Sequence, residues 1–315
     1  MVALQLGGAP AATLGEVKNR ADLVIFWGSN PAESHPRHFT RYSGAAKGKF
    51  TPNGRKDRYV VLVDIRPTPS VKYADEFIQI TPGYDYEVLT VMRMLANGRK
   101  PDADNFGGVK LSVLEKLVER CKGAKLGVLF FGQGITETRG KHQNSMAIYQ
   151  FGKDMSRHSK FLTLPMRGHY NVVGSGNTMC WQTGYPFAVN FGRGYPQFNP
   201  GEFSVVDLLK RREPDVAMIV AAEPMDHLPY EAARHLETIP TIVLDPRRTL
   251  TTEIATVVIP VKHAGVSTEG TAYRMDHIPI RMRAPLKSPW PRDDVPLGRI
   301  IERIKEIRAE EAKVK

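Results

Sequence analysis

Arg58-Tyr59-Val60-Val61-Leu62-Val63-Asp64-Ile65-Arg66-Pro67-Thr68 is a short, unbroken apolar run that ends on an acid and then turns. Such a run lacks polar alternation, so it suits a strand buried on both faces, as in a parallel sheet covered by helices. A second stretch, Thr241-Ile242-Val243-Leu244-Asp245-Pro246-Arg247-Arg248-Thr249, repeats the plan, including the tip acid and the arginine and threonine after it. Each stretch lies between two further strand-like runs. Around the first stand Ala21–Gly28, which ends in Phe26-Trp27-Gly28, and Ala74–Ile80; around the second stand Asp215–Val220 and Ile254–Pro260. The order of elements is the same, which makes this an internal repeat.

A repeat of strand, helix and strand with an acid at the second strand's tip predicts an α/β protein. It would hold two Rossmann-like, doubly wound domains related by the repeat. The first dinucleotide-binding domain is expected over 1–122 and the second over 123–290, with 291–315 as a helical tail. Within the first, Tyr86–Ala96 has helical spacing, with Asp85 where an N-cap would stand. The second would open with a strand over Lys125–Phe131 and a helix over His142–Met155. The segment from Phe161 to Pro200 carries many glycines and little periodicity, so it reads as a long functional loop. The tail places Leu297, Ile300, Ile301, Ile304 and Ile307 on one face of a charged helix, fit to dock on a partner or on its own domain.

The chain has 315 residues, 42% hydrophobic and 24% charged, which excludes disorder, collagen and coiled coil. No apolar run approaches the roughly 18 residues of a membrane span and no basic segment precedes an apolar one at the start, so a soluble cytoplasmic protein is expected. The two cysteines, Cys121 and Cys180, cannot form a four-cysteine cluster and read as reduced, buried thiols. The net charge of +11 attracts polyanions. Without zinc-finger spacing, a recognition-helix pattern or RNA-binding aromatics, it points to phosphate-bearing cofactors or acidic partner subunits rather than nucleic acid.

Candidate chemistry sits at strand ends. Gly28-Ser29-Asn30-Pro31 is either an ordinary turn or a place where backbone N–H groups approach a nucleotide. Asp64 could accept from ribose hydroxyls or a guanine edge, or cap the next turn. His35 and His38 invite a metal, but Pro36 spoils a helical presentation and no third ligand is nearby. Arg167-Gly168-His169-Tyr170-Asn171 combines a fixed cation, an imidazole and an amide, fit to hold a small anion or to anchor a loop. Thr268-Glu269-Gly270-Thr271, with Arg274 beyond, is a polar turn suited to a bulky heterocycle or to nothing.

Trp27-Gly28-Ser29-Asn30-Pro31, His35-Pro36, Asp64-Ile65-Arg66, Pro82-Gly83 with Asp85, and Thr268–Thr271 after Ile259-Pro260 together resemble the molybdopterin oxidoreductase superfamily. Thr13–Asp22, His35-Pro36-Arg37-His38 and Arg41-Tyr42-Ser43 narrow the resemblance to the B subunit of formylmethanofuran dehydrogenase, along nearly the whole chain. The resemblance implies two molybdopterin guanine dinucleotides holding tungsten or molybdenum, and reduction of carbon dioxide to formate for methanofuran, the first step of methanogenesis from carbon dioxide. It implies cofactor-binding roles for Gly28, Ser29, Asn30, His35, Asp64, Arg66, Asp85, Gly132, Gly134, Asn171, Asp245, Thr268, Glu269, Gly270, Thr271 and Arg274. Arg167 would face the one-carbon substrate, with His169 assisting. A related alternative is the metal-free scaffold subunit of a formyltransferase/hydrolase-type complex. The family's iron–sulfur segment and its cysteine or selenocysteine metal ligand precede the position of Met1, so a [4Fe-4S] cluster would come only from such a segment or from partners. The resemblance also implies no C-terminal β-barrel in this chain, that part being supplied by a small β-barrel dinucleotide-binding subunit; the other implied partners are an amidohydrolase-like formyl-transfer subunit, a β-helical subunit and polyferredoxin-type iron–sulfur subunits.

Overall fold

The computed structural model describes residues 10–314. The chain divides into two compact units, one running to Val172 and taking in Met275–Ile278, the other holding Val173–Arg274 and the residues from Pro279 on.

The first unit opens with helix α1 (Leu14–Arg20), started by a reciprocal cap. Thr13 Oγ1 accepts from the Glu16 N–H, and the Glu16 carboxylate accepts from the Thr13 N–H. Five strands follow: β1 (Leu23–Trp27), β2 (Tyr59–Asp64), β3 (Glu76–Gln79), β4 (Leu126–Phe131) and β5 (Lys160–Pro165). All pair in parallel, in the order β3-β2-β1-β4-β5. Parallel neighbours need crossovers: helices α2 (Asp85–Ala96) and α3 (Leu111–Gly123) link β3 to β4 and α4 (His142–Met155) links β4 to β5, while only short helical turns, such as Pro31–Ser34, His38–Arg41 and Pro69–Tyr73, lie between β1, β2 and β3. Alternate β1 side chains feed two cores. Leu23, Ile25 and Trp27 pack with Leu89, Met92 and Phe151, while Val24 and Phe26 pack with Val17, Phe39 and Phe130. No β1 side chain is more than 2% exposed, and each such burial is worth about 1.5–3 kcal/mol.

In the second unit, α5 (Val172–Thr183) and α6 (Val205–Lys210) precede a three-stranded parallel sheet in the order β6-β7-β8. Its strands are β6 (Ala217–Val220), β7 (Thr241–Asp245) and β8 (Val257–Pro260). Helices α7 (Tyr230–Leu236) and α8 (Leu250–Ile254) connect them. The core is small: Leu209, Ala232 and Leu236 against Ala217 and Ile219. An antiparallel pair, β9 (Gly270–Tyr273) with β10 (Pro279–Met282), and helix α9 (Asp294–Val314) complete the unit.

Several expectations need correction. A domain boundary at 122/123 fails because β4 pairs with β1, so Leu126–Phe131 extends the first sheet instead of opening a second domain. Phe161–Pro200 is not one irregular loop: β5 occupies its start and α5 follows, its glycines tolerated in a helix that buries only Val173 and Gly174. Asp85 is the first residue of α2 and not its N-cap, which is Tyr84. Cys180 is only half-buried, whereas Cys121 is enclosed and burial pushes its thiol up. The apolar face of α9 stays open, with Ile301, Ile304 and Ile307 exposed. Among the described residues no helix is long and apolar enough to cross a membrane.

Candidate cofactor and anion site

In the order β3-β2-β1-β4-β5 the chain leaves β1 toward one side of the sheet and β4 toward the other. Their carboxyl ends therefore flank the crevice at which open parallel sheets bind ligands. Gly28, Gly132 and Gly134 stand there, packed backbone to backbone. Gly28 has φ +55°, and a Cβ on Gly132 would fall 2.6 Å from the Gly28 carbonyl oxygen. The Gly28, Gly132 and Gly134 N–H groups donate to the carbonyls of Val63, Trp27 and Gly28 at 2.9, 3.1 and 3.0 Å. These donors are committed inside the fold, so the glycines serve close approach of two loops and not capture of a phosphate.

The side chains that follow β1 build the rim. Ser29 Oγ donates to Met166 Sδ at 3.4 Å. Asn30 Oδ1 accepts from Ser70 Oγ at 2.7 Å, and Ser70 Oγ in turn accepts from the Ala32 N–H. His35 Nε2 lies 3.0 Å from the Arg167 carbonyl, with its Nδ1 2.9 Å from Ser34 Oγ. A carbonyl only accepts, so Nε2 carries the proton and holds the loop after β5 against the loop after β1. Arg167 is half-buried, and its guanidinium makes no hydrogen bond or ion pair with any described residue. Burial raises the Tyr149 phenol and the Arg167 charge opposes that rise, which puts the cation near Tyr149. His169 and Asn171 have φ of +61° and +56°. Two non-glycine residues in the left-handed region within one short loop mark stored strain, as functional loops carry.

At the tip of β2, half-buried Asp64 accepts through Oδ1 from the Ile65 N–H at 2.8 Å. Burial raises its carboxyl, against its backbone bonds and the exposed Arg66. Asp85 is 3% exposed and accepts from Trp27 Nε1 at 2.9 Å, clamping the end of β1. Its carboxyl too is raised, by burial first and also by the charge of Asp64. Beside the start of α2 a cavity of about 510 Å³ is lined by Gly83, Tyr84, Tyr86, Glu87, Arg139 and Gln143 among others.

In the second unit, Asp245 is buried and accepts through Oδ1 from the Arg247 N–H at 2.8 Å, the local device of Asp64 used again. The Thr268 carbonyl accepts from the Gly265 N–H, and Thr268 Oγ1 donates to the Glu269 carbonyl. The Glu269 carboxylate meets Arg281 at 3.5 Å, both exposed. Gly270 opens β9, Thr271 sits opposite Arg281, and Arg274 follows the strand.

His38 is buried among Phe26, Phe130 and Tyr42, with Nδ1 2.9 Å from Ser43 Oγ. Burial above all lowers its pKa from 6.5 to about 3. It is a neutral core imidazole. Among the described residues no group of three or more His, Cys, Asp or Glu could hold a metal. Sequence reasoning missed Ser70, Met166 and Tyr149, which carry no local signal and meet the site only through the fold.

The geometry is that of an α/β protein whose first parallel sheet reverses strand order between β1 and β4, with Arg167 beside that carboxyl edge and without a hydrogen-bond or ion-pair partner for its guanidinium among the described residues. No protein-family model matches the chain. It is 47% identical over 289 residues to the B subunit of tungsten-containing formylmethanofuran dehydrogenase 2 from Methanocaldococcus jannaschii, covering 92% of this chain and 66% of that one. The counterpart from Methanococcus maripaludis is 43% identical, covering 92% and 67%. The chain belongs to the family of formylmethanofuran dehydrogenase B subunits, and spans about two thirds of these relatives' length. Among solved structures, a chain of the formyltransferase/hydrolase complex (FhcABCD) from Methylorubrum extorquens in complex with methylofuran shares the fold. Its TM-score is 0.77 at 20% identity, over 98% of this chain and 81% of that one.

Proposed function

We propose that the chain is the molybdopterin-guanine-dinucleotide-holding subunit of a tungsten or molybdenum formylmethanofuran dehydrogenase. The reaction is reduction of carbon dioxide to formate, which then formylates methanofuran in the first step of methanogenesis from carbon dioxide. The observation that carries the reading is Arg167, whose guanidinium has no hydrogen-bond or ion-pair partner among the described residues and whose backbone carbonyl is held by His35 at the carboxyl edge of the first sheet. A guanidinium stays charged at working pH and offers parallel donors to a carboxylate, so Arg167 binds and orients formate and steadies charge developing on carbon dioxide.

The first unit's donor set fits a polyanionic, nucleotide-bearing group. Asp64 can accept from ribose or guanine donors, Arg66 can meet phosphate, and the cavity beside α2 has two tyrosines for a heterocycle. The second unit supports the paired arrangement in which two Rossmann-like halves each hold one dinucleotide, through Asp245, the Thr268–Thr271 turn and Arg274. When bound, the group would supply the electron pair for carbon through its metal, carried on dithiolene sulfurs. This chain's residues would hold the group, orient the one-carbon substrate through Arg167 and fix the rim through His35. Asn171 and His169 would support the same loop. The small β-barrel, amidohydrolase-like, β-helical and polyferredoxin-type subunits are the proposed partners, in the cytoplasm.

A second reading, a metal-free scaffold of a formyltransferase/hydrolase-type complex, is supported by one observation, the fold shared with a chain of such a complex at a TM-score of 0.77. Metal analysis and pterin assay of the purified complex decide between them. Tungsten or molybdenum with two pterins per chain supports the dehydrogenase; a complex free of both supports the scaffold.

A further inference from the structure

The loop between the short helical turn His38–Arg41 and β2 is pinned from below by a buried cation. Arg58, at the entry to β2, is only 4% exposed. Its guanidinium donates to the carbonyls of Lys18, Ala21 and Ala46 and to Thr51 Oγ1. These acceptors belong to the end of α1 and to the loop, so one side chain ties the two together and satisfies carbonyls that the helix end leaves open. The loop then lies directly on α1. A Cβ on Gly48 would run into the Lys18 carbonyl. The Lys49 N–H donates to Asn19 Oδ1 at 3.0 Å and the Phe50 N–H to the Asn19 carbonyl at 2.9 Å. Gly48 and Thr51 close the turn on each other through their backbones.

What this ordered turn holds out is a bare aromatic ring. Phe50 is 57% exposed. The Arg20 guanidinium lies 4.8 Å and the Lys49 ammonium 5.6 Å from its centroid. Lys18, on α1, and Lys47, next to Gly48, are exposed as well, and none of these four cations forms an ion pair with a described residue. The acids nearby are engaged: Glu16 closes the cap of α1, and Asp57 accepts from the backbone and side chain of Asn53. A loop already fixed loses little entropy when a partner covers it. A rigid exposed aromatic beside an arginine is also the composition in which interface hot spots are enriched.

We propose that this turn is a docking surface for an acidic segment of a partner subunit. Phe50 seats in an apolar pocket of that segment, and carboxylates around the pocket meet Arg20, Lys47 and Lys49. Charge complementarity selects this occupant, because the four unpaired cations share one end of α1 and its loop in a chain of net charge +11. A second copy is a poorer fit, since a twofold axis would set the same cations against each other. Nucleic acid fits less well too: stacking along a strand needs a row of rings, and here a single ring already carries Arg20. The inference rests on this turn and on the chain's place among subunits of a larger enzyme, not on Arg167 or cofactor binding, so metal and pterin analysis tests the functional reading independently.

The test replaces Phe50 with the photo-crosslinking residue p-benzoylphenylalanine in the assembled complex, irradiates it and maps the product by peptide mass spectrometry. The expected result is a cross-link from position 50 to a segment of a partner subunit rich in Asp and Glu. Phe50→Ser and Lys49→Glu should each raise the dissociation constant of that subunit at least about tenfold, the scale of losing an interface hot spot. Added salt should weaken the parent's binding as well. Both side chains are exposed, so the chain's own thermal melt and the metal and pterin content should stay unchanged. The proposal is overturned if position 50 cross-links to no other chain, to a second copy of this chain, to nucleic acid or to a segment without acids. It is overturned equally if either variant, folded as the parent, binds the subunit as tightly as the parent does.

Discussion

The two parallel sheets of this chain start from similar sequence and end in different surroundings. In the first unit, β1 lies mid-sheet with helices on both faces and all five side chains buried. In the second, β6 carries an equally apolar run, yet its side chains alternate between half-buried and exposed. Composition alone therefore does not say which strand is central. The number of neighbours the chain supplies decides that: β4 and β5 extend the first sheet past β1, and nothing among the described residues does so for β6.

The contrast predicts unequal costs for equal deletions. Ile25→Ala removes a fully buried side chain and should cost about 2–5 kcal/mol. Met218→Ala in the same chain should cost less than about 1 kcal/mol. Chemical denaturation followed by exchange protection in each unit reads both, and a large Met218 cost would erase the contrast. Glycine substitutions sharpen it on a smaller scale. Gly132→Ala drives a Cβ to 2.6 Å from a backbone oxygen and should destabilise by roughly 1–3 kcal/mol. Gly270→Ala meets only the end of the Met282 side chain, at 3.0 Å, and should cost well under that.

Acid should undo the first unit before the second. Folded His38 stays neutral down to about 3, while an unfolded imidazole takes its proton near 6.5. Stability is therefore full above pH 6.5 and falls by about 1.4 kcal/mol per unit as pH drops toward 3. His35 and Asp276 face the same imidazole with opposite effects, so His38→Gln should flatten the slope in a pH series of denaturant melts and leave a smaller one. The smallest expected difference is between Asp64→Asn and Asp245→Asn. Both acids cap their own turn, so each variant should lose about 0.5–1.5 kcal/mol. Only a drop in bound pterin for Asp64→Asn would give that acid a ligand role beyond the turn.

Much of the fold was legible because apolar runs and helical spacing are local signals. β1, β2, β4, α2 and α4 all fall where those signals stand. The unit boundary was not legible, because β4 looks the same in sequence whether it extends one sheet or founds another; only its pairing with β1 decides. The site divides in the same way. Asp64 and Arg167 stand out as an acid and a cation at strand ends. The bond from His35 to the Arg167 carbonyl joins residues far apart in sequence, and the use of the glycine N–H groups inside the fold depends on two loops meeting. Neither leaves a trace in a single sequence.

Handling of a one-carbon carboxylate by Arg167 at the carboxyl edge of the first sheet is put to the test by Arg167→Lys in the assembled complex. Turnover of carbon dioxide or formate should be measured together with metal and pterin content. Lysine keeps the charge and loses the paired donors. The predicted result is unchanged metal and pterin with turnover reduced by roughly a hundredfold or more. Near-normal turnover would contradict the assignment, and loss of pterin would make Arg167 a cofactor anchor instead.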